Sequence, residues 1–436
     1  CCVYKEREII SQRTRLAMGK MPVNSEKKGI ITVIESACEG CPINRYTVTE
    51  NCQKCLAKSC QKACPFGAIS MTGRGAYIDP DKCKECGKCA QACPYNAIAD
   101  LVRPCKRSCP VNAINMNEDK IADIDESKCI SCGACMRACP FGAISDVSYI
   151  NTIISEIKEG KEVFAVIAPA LEGQFGLDCT MGKLKTAVKK LGFKDVLEVS
   201  LGADATTVTE AKELMETVEK GEKMTTSCCP AFVNMIRKHY PGVLDKVSSA
   251  VSPMVAVSRL IKSKNPNSLV VFIGPCVAKK TEIVEDGADY MLTTEELLAM
   301  LDAKEIDIKS CEESSQDGSV YGKKFASSGG VTNAVMRAIY EMTGEEPEIS
   351  AQRCSGALEC KKALTLLSSG KFPASIIEGM ACDGGCMKGP GNIQNERVYT
   401  QSRNKLLEQS DDRGILENFN NAGFDKINLH RKEFEK

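Results

Sequence analysis

The spacing of the cysteines in the first third of the chain constrains the fold more than any other feature. Sixteen cysteines lie from Cys38 to Cys139. Most belong to repeated runs, in which three cysteines close together are followed by a fourth that precedes proline. The runs are Cys52, Cys55, Cys60 and Cys64; Cys83, Cys86, Cys89 and Cys93; a shortened pair, Cys105 and Cys109; and Cys129, Cys132, Cys135 and Cys139. This spacing suits cubane [4Fe–4S] clusters, because the cysteine before proline reaches a neighbouring cluster, and sixteen thiolates suffice for four clusters.

The composition excludes several other classes of protein. The chain has 436 residues and 27 cysteines, whereas a disulfide scaffold of that density belongs to short secreted chains. Lys and Arg interrupt the first twenty residues, so no secretory signal is expected, and no apolar run is long enough to span a bilayer. Reduced thiols in a cytoplasmic protein are the prediction. Basic and acidic residues both number 57, which argues against nucleic acid as an electrostatic partner.

An internal repeat sets the organisation of the cysteine-rich part. The sequence CPFGAI at 64–69 returns at 139–144, and the variants CPYNAI and CPVNAI lie between the two. The long, short, long spacing predicts two tandem ferredoxin-like units over 38–148, the second of them shortened, after a separate N-terminal segment over 1–37. Short apolar pieces follow the motifs and are cut by turn residues, which predicts small hairpins.

From 149 to 436 the pattern changes to that of an ordinary globular α/β domain. Apolar, β-branched segments at 162–167 and 268–273 predict buried strands, and segments at 211–220, 252–262 and 294–301 have helical spacing. Strands that alternate with helices predict a layered α/β arrangement. The last thirty residues are polar and are expected to cover the surface.

The upstream thiolates can be assigned to four clusters. Three sets follow directly from the motifs: Cys52, Cys55 and Cys60 with Cys93; Cys83, Cys86 and Cys89 with Cys64; and Cys129, Cys132 and Cys135 with Cys109. The cluster that Cys105 and Cys139 would bind then lacks two ligands, and the nearby pair Cys38 and Cys41 is the simplest source of them. The alternative is that this pair binds zinc or nothing, but a half-empty site would leave two buried thiolates unpaired.

Four segments beyond residue 150 carry a second constellation. They are Ala168-Pro169-Ala170 after a predicted strand, TSCCP at 226–230, GPCVAKK at 274–280, and the stretch from Glu378 to Gly389. Cys229, Cys276, Cys382 and Cys386 form one candidate ligand set for a fifth cubane. Buried structural cysteine is the alternative, and it is disfavoured because each cysteine lies in a loop punctuated by glycine or proline.

These segments resemble the signature motifs of the [FeFe]-hydrogenases, and TSCCP followed by GPCxAKK is similar to the group B branch. The resemblance covers nearly the whole chain from about residue 38. It implies tandem bacterial-ferredoxin-like domains followed by a two-lobed α/β catalytic domain. It also implies an H-cluster, in which the fifth cubane is joined to a two-iron subsite with CO, cyanide and a bridging azadithiolate.

The resemblance also implies a role for individual residues. Cys386 would bridge the cubane to the two-iron subsite, and Cys229, Cys276 and Cys382 would complete the cubane. Lys279 would donate to one cyanide, and backbone N–H groups of the Ala168-Pro169-Ala170 segment would surround the other, with Phe325 and Met380 as cavity walls. Cys228 would exchange protons with the bridging amine, and Glu210, Glu213 and Ser248 would connect it to solvent.

The chain departs from the common family pattern at several positions. It has Gly274 where the common signature has Met, Phe232 in place of Trp, Met254 in place of Gln, and Thr217 in place of the outer Arg of the proton path. The terminal triple glycine is Gly389-Pro390-Gly391. Fewer polar groups near the iron should alter the solvation of CO and cyanide, so the resemblance implies the cofactor and the reaction rather than the rate or the preferred direction.

The expected function is the interconversion of H2 with two protons and two electrons. A ferredoxin-like carrier would exchange electrons with the cubane array, and maturation proteins would supply the two-iron site. Three alternatives remain: an iron–sulfur assembly protein without a two-iron site, a slow H2 sensor, and a polyferredoxin. Intact Cys228, Lys279, Glu210 and Glu213 speak against the assembly protein. A polyferredoxin would not need residues 151–436, and no kinase-like or PAS-like segment accompanies the chain as in a sensor.

Overall fold

The computed structural model describes residues 2–22, 29–38, 41, 44–285 and 287–431. The predicted N-terminal segment therefore lies in part outside the described residues. The chain forms two compact units: a larger one from residues 1–32, 126–133 and 145–436, and a smaller one from residues 33–125 and 134–144. Among the described residues, no helix combines the length and apolar character needed to cross a membrane.

Short elements dominate the chain up to residue 146. In order they are α1 (Val3–Ala17), β1 (Ile31–Val33), α2 (Glu35–Cys38), β2 (Tyr46–Val48), α3 (Ser59–Ala63), β3 (Ile69–Thr72), β4 (Gly75–Ile78), α4 (Lys88–Ala92), β5 (Ile98–Asp100), α5 (Pro104–Ser108), β6 (Ile114–Met116), β7 (Ala122–Ile124), α6 (Ala134–Ala138) and β8 (Ile144–Asp146). The predicted hairpins are present as the antiparallel pairs β3–β4 and β6–β7, and β2 pairs with β5.

Longer helices and parallel strands build the rest of the larger unit. They are α7 (Ile150–Lys158), β9 (Val163–Ile167), α8 (Met181–Lys190), β10 (Asp195–Glu198), α9 (Val199–Glu219), β11 (Met224–Thr225), α10 (Pro230–His239), α11 (Pro253–Lys264), β12 (Leu269–Ile273), α12 (Lys279–Glu285), β13 (Tyr290–Leu292), α13 (Thr294–Ala303), α14 (Val320–Lys324), α15 (Gly330–Thr343), β14 (Ala351–Ser355), α16 (Ala357–Ser368), β15 (Ile376–Met380), α17 (Glu396–Leu407) and α18 (Ile415–Ala422). The strands predicted at 162–167 and 268–273 are β9 and β12. Each begins one residue later than predicted and ends at the predicted residue.

Two parallel sheets organise the larger unit. One has the strand order β10-β9-β12-β13 and the other the order β11-β15-β14. The alternation of side chains along β9 explains why both faces of the first sheet are covered. Val163, Ala165 and Ile167 pack into one apolar core, whereas Phe164 and Val166 pack into another. A parallel sheet buried on both faces reads as a continuous apolar run, as this strand does.

Helix α9 is the central helix of the larger unit. It is buried along most of its length and packs against α11, α14, α15 and α18. The sequence pattern predicted only its second half, because the first half is buried on all sides and has no amphipathic period. The second half carries Glu210 and Glu213, which lie one helical turn apart and therefore on the same side.

Candidate metal centre

The four downstream segments all follow the carboxyl ends of parallel strands. Ala168 follows β9, Thr226 follows β11, Gly274 follows β12 and Ala381 follows β15. Ligands of open parallel sheets bind beyond this end of the strands. The segments accordingly meet in one cavity with about 880 Å³ of empty space, its mouth included. Its lining contains every downstream residue that the resemblance places at the iron site: Ala168, Pro169, Ala170, Cys228, Cys229, Cys276, Lys279, Phe325, Met380, Cys382 and Cys386.

The four candidate cysteine ligands would repel one another as bare thiolates. Burial, and then the charge of neighbouring cysteines, raises the pKa of Cys386 to about 11 and also raises those of Cys276 and Cys382. An iron core supplies the positive charge that lets such thiols ionise together. No three Cys, His, Asp or Glu side chains among the described residues converge closely enough for a single metal ion. The four thiols influence one another's pKa and therefore lie close together, and four neighbouring thiolates are the donor set of a cubane.

Lys279 is held at the cavity by a buried ion-pair chain. Its ammonium donates to Glu282 Oε2 at 2.5 Å and to the carbonyl of Cys228 at 3.3 Å. Arg431 donates to Glu282 Oε1 at 2.9 Å. Burial would raise the pKa of Glu282, but Lys279 and Arg431 outweigh it and hold that pKa below its ordinary value. An ammonium has three donors, so one remains for an anionic ligand in the cavity.

The Ala168-Pro169-Ala170 segment offers fewer donors than the resemblance implies. The N–H of Ala168 donates to the carbonyl of Ile273 at 2.9 Å, which continues the ladder between β9 and β12. Pro169 has no N–H. Ala170 is therefore the one residue of the three whose N–H can be offered to a ligand. The hydroxyl of Tyr399 donates to the carbonyl of Ala170 at 2.8 Å and fixes this peptide.

Gly274 explains one departure from the common motif. A Cβ atom at this position would lie 2.7 Å from the Cβ of Ala168 and 2.8 Å from the ring of Phe272. Phe272 thus occupies space beside Gly274, and a methionine at 274 would require its displacement. Met254, another departure, is fully buried and lines the cavity. Phe232 is also fully buried and would contact a Cβ at Gly379, so the smaller ring fits a close approach of α10 to β15.

Cys228 and Glu210 lie side by side at the inner end of the candidate proton path. Burial, followed by the nearby Glu210, raises the pKa of the Cys228 thiol, which therefore keeps its proton. Glu210 is fully buried; its Oε1 accepts from the N–H of Ser227 at 3.1 Å and from the Ser227 hydroxyl at 3.4 Å, and its Oε2 has no partner among the described residues. Burial raises the pKa of Glu210 to about 8, so it is mostly protonated at neutral pH.

Replacing Glu210 by glutamine should make stability less dependent on pH. The folded protein holds an extra proton on Glu210 between the ordinary pKa of 4.5 and the raised value of about 8. The free energy of unfolding therefore falls as pH rises through that window, by about 5 kcal/mol at most, from roughly 3.5 pH units at about 1.4 kcal/mol per unit. Glutamine cannot ionise. We expect the melting temperature of Glu210→Gln to exceed that of the parent increasingly from pH 5 to pH 8.5, whereas Glu219→Gln, an exposed control on the same helix, should follow the parent.

Glu213 and Ser248 form the outer part of the candidate path. The Ser248 hydroxyl donates to Glu213 Oε2 at 2.6 Å, as the resemblance implies. Thr217, at the position of the outer Arg, donates instead to the backbone carbonyl of Glu213 at 2.7 Å. Its hydroxyl is therefore hydrogen-bonded within its own helix. Two further residues contact the carboxylate, Ser249 and His430. Sequence reasoning missed both, because neither belongs to a recognisable spacing pattern.

The cysteines before proline share one local geometry in all four repeats. Each sulfur accepts the N–H of the alanine four residues later, at 3.2–3.4 Å. The residue before that alanine has positive φ and is Gly or Asn, the residue types that adopt this conformation most readily. The repeated CPxGA and CPxNA sequences therefore encode a preformed N–H···S contact, and such contacts tune cluster potentials.

Within the smaller unit, the structure brings together several members of each of three proposed ligand sets. Burial raises the pKa of Cys60, and the nearby Cys93 and Cys55 raise it further. Burial also raises the pKa of Cys89, with a further increase from Cys83 and Cys64.

Burial raises the pKa of Cys105, and Cys38, Cys139 and Cys41 raise it further. The pair Cys38 and Cys41 therefore lies near the incomplete site. Arg103 Nη1 approaches Cys38 Sγ at 3.8 Å and adds positive charge there. The remaining set, Cys109, Cys129, Cys132 and Cys135, is divided between the two units, and its grouping stays a prediction.

Replacing Cys38 and Cys41 together by alanine should remove about four iron atoms per chain, one cubane. The matched control is the double replacement of Cys179 and Cys311, which are buried in the apolar core of the larger unit. Iron and acid-labile sulfide analysis measures both. Unchanged iron in the Cys38 and Cys41 variant would contradict the crossover assignment.

Residues 126–133, part of the larger unit, carry Cys132 to the cavity wall. Lys238 donates to the carbonyls of Glu126 and Cys129, both at 2.7 Å, and anchors the segment. A Cβ atom at Gly133 would lie 2.6 Å from Pro390, so this glycine allows a close approach to the Cys386 loop. Cys132 is near enough to Cys382 to contribute to the raised pKa of that thiol. An upstream cluster ligand thus adjoins the downstream set.

Comparisons with known proteins agree with this arrangement. Residues 161–390 match the family model of the iron only hydrogenase large subunit, C-terminal domain. Residues 76–99 match a 4Fe-4S binding domain, and residues 99–150 match the LdpA Fe-S cluster-binding domain.

Individual proteins also match. Iron hydrogenase 1 of Clostridium pasteurianum is 29% identical over 74% of this chain, a match that spans 66% of that relative, just under two thirds. The periplasmic [Fe] hydrogenase large subunit of Nitratidesulfovibrio vulgaris is 31% identical over 72% of this chain and 85% of its own. Cytosolic Fe-S cluster assembly factor NAR1 of Meyerozyma guilliermondii is 30% identical over 26% of this chain and 25% of its own.

A solved structure shares the fold. A variant of the [FeFe]-hydrogenase HydA1 from Chlamydomonas reinhardtii superposes with a TM-score of 0.53 and 22% identity, covering 62% of this chain and 92% of its own. The family model spans more than half of this chain, and the N. vulgaris relative is matched over most of its length. The chain therefore belongs to the family of the iron-only hydrogenase large subunit, C-terminal domain.

Proposed function

We propose that the protein is an [FeFe]-hydrogenase of the group B type, which interconverts H2 with two protons and two electrons. The observation that carries the proposal is the combination in one cavity of four cysteines, a proton-bearing Cys228 and the ammonium of Lys279, with a buried carboxyl group behind Cys228. A structural cubane alone has no use for a proton path.

The residues of the cavity fit the H-cluster. Cys229, Cys276 and Cys382 would hold the cubane, and Cys386 would hold both the cubane and the two-iron subsite. When bound, this group supplies the metal chemistry that forms or cleaves H2 and a bridging amine that exchanges the proton. Lys279 would bind one cyanide, because an ammonium in a dry cavity strongly stabilises a negative ligand. The N–H of Ala170 would bind the other at no reorganisation cost.

The proton route is built from side chains of this chain. Cys228 keeps its proton at neutral pH and can donate it into the cavity. Glu210, also protonated, would replace that proton from behind. Glu213 lies one turn further along α9 and holds Ser248 at 2.6 Å. From Cys228, in the loop after β11, the route leads outward through Glu210 and Glu213 along α9.

Electrons would reach the cavity through the upstream clusters. We propose four [4Fe–4S] clusters, the last of which includes Cys132 and adjoins Cys382, and a ferredoxin-like carrier as the external partner. Maturation proteins would deliver the two-iron subsite. The cytoplasm remains our expectation for the compartment, because it keeps so many thiols reduced.

The similarity to an Fe-S cluster assembly factor supports a second candidate function. An assembly protein would hold the cubanes but would neither bind the two-iron subsite nor move protons. A gas assay separates the two. Protein matured with a synthetic or enzymatically supplied two-iron subsite should evolve H2 from a reduced viologen dye, and Cys386→Ala should not. Absence of H2 from fully iron-loaded, matured protein would favour the assembly role.

A further inference from the structure

The imidazole of His430 lies at the outer end of the candidate proton path, in a segment outside every family motif. The backbone around it is fixed on the strand-like stretch 249–251. Val251 donates to the carbonyl of Leu429 at 2.8 Å, and Arg431 donates to the carbonyl of Ser249 at 2.7 Å. Arg259 Nη1 donates to the carbonyl of His430 at 3.0 Å. His430 is therefore held in place although its side chain is 47% exposed.

The ring nitrogen of His430 faces the hydroxyl and the carboxylate of the path. His430 Nδ1 lies 2.6 Å from Ser249 Oγ and 3.4 Å from Glu213 Oε1. The Ser249 hydroxyl also donates directly to Glu213 Oε1. Imidazole, hydroxyl and carboxylate thus form a continuous chain of hydrogen-bonding groups.

This chain opens into a polar cleft with about 1720 Å³ of empty space, its mouth included, and Glu213, Ser248, Ser249 and His430 line it. Thr217 lines it too, but its hydroxyl is committed to the helix backbone. Among the described residues that contact the Glu213 carboxylate, His430 is the one that combines a titratable group with substantial exposure.

We propose that His430 is the outermost proton-transfer residue of this protein, and that Ser249 joins it to Glu213. This inference rests on the proposed function. An imidazole exchanges protons with water near neutral pH. In the inward direction, solvent first protonates Nε2 of the neutral Nδ1–H ring. The Nδ1–H bond of the resulting imidazolium then breaks and its proton binds Ser249 Oγ, while the Ser249 O–H proton binds Glu213 Oε1. One proton moves and no electrons do; the ring is left neutral with its proton on Nε2 and returns to the Nδ1–H tautomer by proton exchange with solvent. H2 oxidation runs the same steps backward.

Turnover of His430→Gln tests the proposal, and His239→Gln is the matched control. His239 is the other histidine of the chain, and its Nε2 contacts the carbonyl of Lys128, away from the path. We expect His430→Gln to lower H2 evolution roughly 3- to 10-fold, less than the loss of a group at the reacting atoms, because water still reaches Glu213. Free imidazole in the buffer should restore most of the rate in His430→Gln and should not change His239→Gln.

A second measurement needs no turnover. In protein labelled with ¹⁵N-histidine, the Nδ1 resonance of His430 should move when Ser249 is replaced by alanine, and the His239 resonances should not. An unmoved Nδ1 resonance would overturn the contact, and equal rates of His430→Gln and His239→Gln in an active parent would overturn the role. A parent without any H2 turnover would instead remove the proposed function, and this inference with it.

Discussion

Replacing Cys228 by alanine should lower H2 turnover by at least two orders of magnitude in both directions while every cluster stays in place. Cys228 is half-buried, lines the cavity and is close enough to Glu210 to be influenced by its charge, and its raised pKa keeps it protonated. Loss of a general acid costs about 10²–10⁴-fold, and loss of a relay group also breaks the route to Glu210. H2 evolution from a reduced dye measures the turnover. Iron content and infrared spectra show whether the clusters are retained.

The neighbouring cysteine provides the contrast for this experiment. Cys229→Ala should lose the downstream cubane, since Cys229 is a proposed ligand, so its iron content should fall where that of Cys228→Ala does not. Cys228→Asp should recover part of the activity, because a carboxyl group can also carry a proton. Near-normal turnover of Cys228→Ala would mean that protons leave by another route, and the roles of Glu210, Glu213 and Ser248 would be wrong.

Replacing Lys279 by methionine should prevent stable retention of the two-iron subsite and leave the cubanes. The ammonium is buried at the cavity, and the negative charge of a cyanide ligand would lose its partner. Removal of one preorganised donor lowers the catalytic rate roughly 10²–10³-fold. Removal of one partner of a buried charged pair costs about 3–5 kcal/mol of stability. We expect a loss of about two iron atoms per chain and of the infrared bands of the subsite.

Lys280 is the matched control for Lys279. It is the next residue of α12, is equally buried, and donates to Asp146 Oδ2 at 2.5 Å and to the carbonyl of Val147 at 2.6 Å rather than into the cavity. Lys280→Met should therefore lower stability to a similar degree but keep the subsite. If both variants keep normal bands and turnover, Lys279 has no role in binding the subsite.

The parts of this protein that could be predicted from sequence are those with a strict spacing or a strong apolar pattern. The motif cysteines are constrained by cluster geometry, and the runs that became β9 and β12 are apolar on both faces, so both signals survive without tertiary information. Cys38 and Cys41 could be named as ligand candidates by elimination. Helix α9 was only half predicted, because burial on all sides removes the amphipathic period on which the prediction depends.

The residues that sequence reasoning missed act through contacts between distant segments. Arg431 reaches Glu282, 149 residues away, and His430 reaches Ser249, 181 residues away. Because the last thirty residues are polar, the sequence predicted that they lie on the surface. Phe424 and Leu429 are nevertheless buried, and Arg431 reaches the site. Residues 432–436 lie outside the described residues. No local pattern marks a single charged residue whose partner is brought to it by the fold. The sequence also suggested that the N–H of Ala168 could bind a ligand. This N–H is used in the sheet instead, which depends on the register of β12.

Infrared spectroscopy of purified protein matured with its two-iron subsite tests the central claim most directly. The claim is that the cavity of Cys229, Cys276, Cys382 and Cys386 carries an H-cluster rather than a cubane alone. Intrinsic CO and cyanide stretching bands should appear, should be absent before maturation, and should change when H2 is admitted. Matured protein with full cubane loading but without these bands would contradict the account and would identify the chain as a cluster-binding relative of the hydrogenases.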